Sequence, residues 1–165
     1  MKPKNFIDKK VFTVIFLLLG LITVNSFAQE MAVPANLQAA LFKKIFSFNK
    51  TLTAKGNVEV AVIGSGADEV VSAFKDAGVN AKAASDIGGA SVVYVMPGAA
   101  SPKAQSAAKG VLSISGVTSY VENGSVAIGL GVEGGKPKII INMAQLKAEG
   151  QDLSADLLKI AKVIQ

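Results

Sequence analysis

The stretch SVAIGLGVEGGKPKIIIN, residues 125–142, decides how this chain folds. Gly134-Gly135 sits between two alternating arms and is a favoured two-residue hairpin turn. With that turn, Glu133 faces Lys136, an opposite-charge pair beside the loop. Val132 then faces Pro137, Leu130 faces Ile139 and Ile128 faces Ile141, so one face is wholly apolar. The other face sets Ala127, Gly129 and Gly131 against Asn142, Ile140 and Lys138. A slip of one residue would mix the two sets, so the pattern itself fixes the register. The small residues on the second face predict a neighbour packed close there, or thin cover. Pro137 donates no ladder bond, which places its strand at or near an edge at that point.

Downstream, Asn142 is expected to cap a helix over Met143–Glu149, with Gln145 at N3 in a capping-box arrangement and Gly150 as the stop. Ser154 caps a final helix. Leu153 can staple to Leu158, Asp156 suits the first turn, and Leu157, Ala161 and Ile164 continue an inward stripe. Upstream, Val58–Ile63, Val79–Ala84, Ser91–Met96 and Val111–Ser115 read as strands. Helices are expected over Ala67–Ala77 and from Pro102 to about Lys109, with a loop at Gly116–Gly124 that holds one helical turn at Ser119–Glu122. Strands alternating with helices of this length indicate βαβ units. The expected fold class is α/β: a small single domain with a mostly parallel sheet, a C-terminal antiparallel hairpin and two short helices.

Leu37–Leu52 reads as one helix with Asn36 as its N-cap. Leu37, Leu41, Ile45, Phe48 and Leu52 recur at helical spacing, and Phe42 and Phe46 widen the stripe. The Phe-rich edge, Phe42, Phe46 and Phe48, is the candidate partner-binding surface.

The first residues belong to a different class of segment. Lys2, Lys4, Lys9 and Lys10 precede an apolar run from Val11 to Val24, and Ser26-Phe27-Ala28 supplies small residues at a cleavage site. That is the three-part pattern of a secretory signal peptide. The run is shorter than the roughly 20 apolar residues of a spanning helix. The expectation is export to the periplasm of a Gram-negative bacterium, cleavage after Ala28, and a domain over residues 29–165. Cleavage would remove four of the 17 lysines and one of the 12 acidic residues, leaving a balance of +2. The basic charge is therefore partly an export signal. The sequence holds no Arg, the preferred side chain for bidentate phosphate and base contacts, so no nucleic-acid partner is expected.

Cys, His and Trp are also absent. Without Cys an exported core must hold by packing alone. Zinc and copper lose their usual ligands, and triads built on His or Cys cannot form. No metal, cofactor or enzymatic activity is expected. Gly64-Ser65-Gly66 follows a strand and precedes a helix, as a dinucleotide fingerprint would, but Glu69 stands where the third glycine belongs. Asp68 and Glu69 would also repel a phosphate from that helix start. Ser47 with Lys50, Ser72 with Lys75 and Ser106 with Lys109 share a Ser-x-x-Lys spacing, and each reads as the polar side of a helix. Asp86 with Gly88-Gly89, and Glu122 with Asn123, fit no calcium loop. The carboxylates read as solvated surface.

Four pieces together resemble the YfiR-like family of bacterial periplasmic proteins. They are Glu133-Gly134-Gly135-Lys136, Ile139-Ile140-Ile141-Asn142-Met143, Gly150-Gln151-Asp152-Leu153-Ser154 and Leu157-Leu158-Lys159-Ile160-Ala161. The resemblance implies a small α/β periplasmic protein that regulates signalling by protein contact. Its implied partner is the periplasmic part of a membrane sensor or cyclase, with repression of a diguanylate cyclase, lowered cyclic-di-GMP and an effect on biofilm formation. A homodimer is a possible assembly. The alternative reading is a periplasmic solute-binding protein for a small molecule, motivated by the parallel sheet and its glycine turns.

Overall fold

A computed structural model describes residues 31–165. The signal-peptide reading of residues 1–28 lies outside the described residues. In chain order the elements are α1 (Ala35–Ser47), α2 (Lys50–Lys55), β1 (Glu59–Ile63), α3 (Ala67–Asp76), β2 (Asn80–Ala84), β3 (Val92–Val95), α4 (Lys103–Lys109), β4 (Leu112–Ser115) and α5 (Thr118–Glu122). There follow β5 (Ile128–Glu133), β6 (Lys136–Asn142), α6 (Met143–Ala148), α7 (Ala155–Ile160) and β7 (Lys162–Ile164). The strands form one sheet in the order β2-β1-β3-β4-β5-β6-β7. Only the β5–β6 pair is antiparallel.

A sheet covered on both faces favours strands that are apolar throughout; β3 is one, and β4 is buried at every residue although Ser113 and Ser115 alternate with Leu112 and Ile114. On the first face, Val62, Tyr94, Ile114, Ile128 and Ile141 stand side by side across five strands. They pack beneath Phe42 and Ile45 of α1, Val70 and Phe74 of α3 and Leu157 of α7. On the second face, Val93, Val95 and Ile140 meet Val121 of α5 and Ile87 of the β2–β3 connection.

The hairpin has the expected register at all of its pairs, from Glu133↔Lys136 to Ile128↔Ile141. Gly134 and Gly135 have φ of 58° and 75°, the pair of positive values that a type I′ turn demands. The small residues of the second face receive α5. A Cβ on Gly129 would overlap the Val121 side chain and lie 3.0 Å from the Ser115 carbonyl oxygen.

Three expectations need correction. The helix read as continuous from Leu37 to Leu52 begins at Ala35 and is broken at Phe48 and Asn49. Asn36 is not its cap; that place falls to Pro34. Asn49 is instead the N-cap of α2, its Oδ1 accepting from the Leu52 N–H at 3.1 Å while its Nδ2 donates to Gln151 Oε1 at 3.0 Å. Asn favours caps over helix interiors because its side chain competes for backbone groups. Second, the last helix stops at Ile160, and Lys162–Ile164 turn extended to pair with Ile140–Asn142 as β7. Val163 and Ile164 are β-branched and suit a strand, and the outer side of β6 is open to them. Third, the capping box at Asn142 is half formed. Asn142 Oδ1 accepts from the Gln145 N–H at 3.0 Å, but the Asn142 N–H goes to Ala127 O and the Gln145 side chain is engaged elsewhere.

Gly129→Ala should therefore destabilise the protein by about 1–3 kcal/mol, the usual cost of overpacking, and Gly129→Val by more. Urea unfolding followed by circular dichroism measures both; wild-type midpoints would contradict the close approach of α5.

Candidate functional site

The three phenylalanines read as a partner surface are not an exposed edge. Phe42 is fully buried and Phe46 nearly so. They form an aromatic cluster with Phe74 and Tyr94, the Phe42–Tyr94 and Phe74–Tyr94 rings meeting edge to face at 6.0 and 5.9 Å. Phe48 alone of the three is half-buried, with the Lys44 ammonium 5.3 Å from its ring centre. Leu37 and Leu41, expected to point inward, lie at the margin instead. The helix has rotated its widest side chains, the phenylalanines, into the core.

The Ser-x-x-Lys spacings bring no Ser to a Lys. Ser47 Oγ donates to the Lys44 carbonyl at 2.7 Å, and Ser72 is exposed. Ser106 turns away from Lys109 and donates at 2.7 Å to Glu149. Asp86 accepts the Gly88 N–H at 2.7 Å, and Glu122 pairs with Lys162 at 3.5 Å. Among the described residues no group of three or more acidic side chains could hold a metal ion.

Glu149 corrects the reading of the carboxylates as solvated surface, because it is fully buried. Its Oε1 accepts from Ser106 Oγ, from Ser113 Oγ and, at 2.8 Å, from Gln145 Nε2. Its Oε2 accepts the Ser113 N–H at 3.0 Å. Ser113 Oγ in turn accepts the Ala127 N–H at 2.9 Å. One carboxylate thus ties the end of α6 to α4, and through Ser113 to β4 and the approach to β5. Burial pushes its carboxyl above the usual range, while the hydrogen bonds from Ser113, Gln145 and Ser106 pull the other way. Gln145 Oε1 is left buried without a partner. A sealed carboxylate cannot meet a substrate, so the cluster is a clasp. A local signal did exist: Glu149 is the C-cap of its helix, where a negative charge opposes the dipole and needs compensating donors.

Apart from Leu37 of α1, the large apolar side chains exposed among the described residues come from β5, α7 and β7. Val132, Ile160 and Val163 are 47%, 62% and 40% exposed. Alternation puts Val132, Pro137, Ile139 and Val163 on the same face, in line with the buried Ile128 and Ile141. The charges that β5, β6 and β7 carry here sit on the opposite face, where Lys138 pairs with Glu133 at 3.4 Å and Lys162 with Glu122. The result is an apolar corner at the margin of the core, with one exposed ion pair, Lys159–Asp156, beside Ile160.

The pattern of the YfiR/HmsC-like family matches residues 35–162. The chain belongs to that family, whose theme is periplasmic regulation of cyclic-di-GMP signalling. Among solved structures it is similar to the ABC domain in complex with L-Trp from Streptococcus pneumonia, with a TM-score of 0.55 and 15% identity over 79% of this chain and 62% of that one. At that identity the likeness is one of fold, and the chain spans under two thirds of the other's length. No curated protein matches. Among the described residues no helix is long and apolar enough to cross a membrane.

The raised carboxyl of Glu149 has a signed consequence. Below its ordinary value of 4.5 the folded and unfolded chains both carry the proton. Between that value and the raised one only the folded chain does, so the stability this group contributes is lost as pH rises through the folded value. Wild type should gain stability relative to Glu149→Gln as pH falls from neutrality toward that lower limit. Urea titrations across the range measure this, and parallel profiles would refute it. Glu149→Ala, which strands buried donors on Ser106, Ser113 and Gln145, should cost about 3 kcal/mol or more at neutral pH.

Proposed function

We propose that this member of the family is an exported, non-enzymatic regulator whose apolar corner docks on the periplasmic part of a membrane signalling protein. The observation that carries the reading is the exposure of Val132, Ile160 and Val163 at one margin of the core. Contiguous apolar surface of this kind marks contact sites on soluble proteins. Interface centres are depleted of charge while their rims are polar. The corner has that arrangement, with the lysines and glutamates of its strands turned to the other face and the Lys159–Asp156 pair beside Ile160. By family, the partner is a membrane sensor or a diguanylate cyclase, and docking represses it, lowering cyclic-di-GMP.

The fold suits such a role. The core is closed by packing and by the Glu149 clasp, without disulfides, since the chain has no Cys. A rigid sheet margin then presents its side chains without ordering cost on binding. Glu149 and its serines are sealed, so they offer no rival catalytic reading.

A photo-crosslinking residue placed at Val132 or Val163 in cells should capture a membrane protein. Val132→Asp and Val163→Asp should each cut capture at least about tenfold, because an unpaired charge must then be desolvated. Both should leave folding stability within about 0.5 kcal/mol, as expected for exposed positions. Deleting the gene should raise cellular cyclic-di-GMP, and neither Asp variant should restore it. Failure to capture any membrane protein, or unchanged cyclic-di-GMP on deletion, would remove the proposal.

A further inference from the structure

β1 and β3 are neighbours in the sheet, yet the chain leaves them on opposite faces. β1 runs into α3, whose Val70 and Phe74 cover the first face. β3 runs into α4, whose Ser106 donates to Glu149, the carboxylate that Ser113 of β4 also reaches on the second face. Where loops part in this way, an open parallel sheet leaves a crevice at the carboxyl ends of its strands, and ligands enter there.

The crevice is present in this protein. Two clefts of about 470 and 480 Å³ flank the carboxyl ends of β1 and β3 and share Gly64 and Ala99. Such volumes lie within the range of small-molecule sites. Their common floor depends on a residue without a side chain. Gly64 has φ of 116°, and a Cβ there would lie 2.7 Å from Met96 Cβ and 2.9 Å from Ala99 Cβ. The β1–α3 and β3–α4 loops can approach this closely only across a glycine.

The chemistry of the walls selects the ligand. The second cleft is lined by the apolar Ile63, Pro102 and Ala104 and by the polar Ser85, Asp86 and Gln105. Asp86 is its single charged lining residue. Its Oδ1 is engaged by the Gly88 N–H at 2.7 Å, a bond that holds the carboxylate in place. Lys109 of α4 donates from Nζ to the Gly88 carbonyl at 3.3 Å and not to Asp86, so the carboxylate favours a positive group over an anion. We propose that this crevice binds a small organic amine, with its ammonium on Asp86 and its apolar body against Ile63, Pro102 and Ala104. The site is distinct from the apolar corner, so a partner-binding protein would also be responsive to a small molecule.

The test is an amide-resolved NMR titration of the purified protein with cyclohexylamine, cyclohexanol and cyclohexanecarboxylate. These three share a body and differ in charge. The amine should give saturable shifts at Gly64, Asp86 and Ala99. The alcohol should bind about tenfold more weakly, and the carboxylate more weakly still. Asp86→Asn should bring the amine down to the level of the alcohol. Ala100→Trp, at an exposed lining position, should block both by filling the cleft. Circular dichroism of the two variants checks that they fold as wild type. If the amine produces no saturable shift, shifts residues away from the crevice, or binds Asp86→Asn as it binds wild type, the assignment is wrong.

Discussion

The contact on which most of the structure depends is that of Tyr94 with Phe42 and Phe74. Tyr94 sits in β3, the third of seven strands, and its ring takes an edge-to-face neighbour from α1 and another from α3. The two longest helices on that side of the sheet are therefore referenced to one side chain. The geometry is the one favoured by the aromatic quadrupole. The phenol is buried too, and burial raises its pKa. Its hydroxyl donates to Gln38 Oε1 at 2.7 Å, and Gln38 Nε2 donates to the Val33 carbonyl at 2.6 Å. A polar chain thus runs from the sheet centre to the segment before α1 and fixes where that helix begins. Buried networks of this kind specify one arrangement because every alternative strands a polar group.

How far the sequence revealed the fold depended on how local the determining interaction was. The hairpin register was fully legible, because a two-residue turn and a period of two leave no second solution. The strands β1 and β3 were legible for a related reason, being short apolar runs that suit a covered parallel sheet. The elbow at Asn49 was not read, although an Asn in mid-helix is a warning. What decides it is distant: Asn49 bonds Gln151, and the Ser154 N–H donates to the Phe48 carbonyl. β7 was missed because a helical stripe through Leu157, Ala161 and Ile164 looks consistent until β6 offers an open side.

The site residues were the least legible part. Phe42 and Phe46 carry the same residue type in the core as they would on a contact surface, and only the roll of α1 separates the two. Ser106 offers a sharper case. Its spacing points to Lys109, while the chain returns Glu149 to within hydrogen-bonding distance. Polar pairing across 43 positions leaves no periodic trace. Val132 was read as one more residue of the hairpin's apolar face, because alternation gives the face of a strand and says nothing of how far along the strand the cover extends; Val163 was not singled out, since its strand was not expected.

The apolar corner raises the question of how a partner engages it, and Pro137 supplies an answer. The Asn142 N–H points to Ala127 on the β5 side. Directions alternate along an antiparallel strand, so positions 138 and 136 also face β5 while 141, 139 and 137 face outward. Ile141 meets β7, but at 137 the outward donor is absent because the residue is proline. The open stretch of β6 therefore cannot receive a further strand as a regular ladder, which is how natural sheets discourage indiscriminate edge pairing. Recognition at this corner must come through side chains laid on the face of Val132, Pro137 and Val163, with little contribution from backbone bonds at the edge. Such a contact depends on shape and on exclusion of water. It favours a partner with a matching apolar surface over any extended peptide, which reconciles an exposed sheet margin with a selective one.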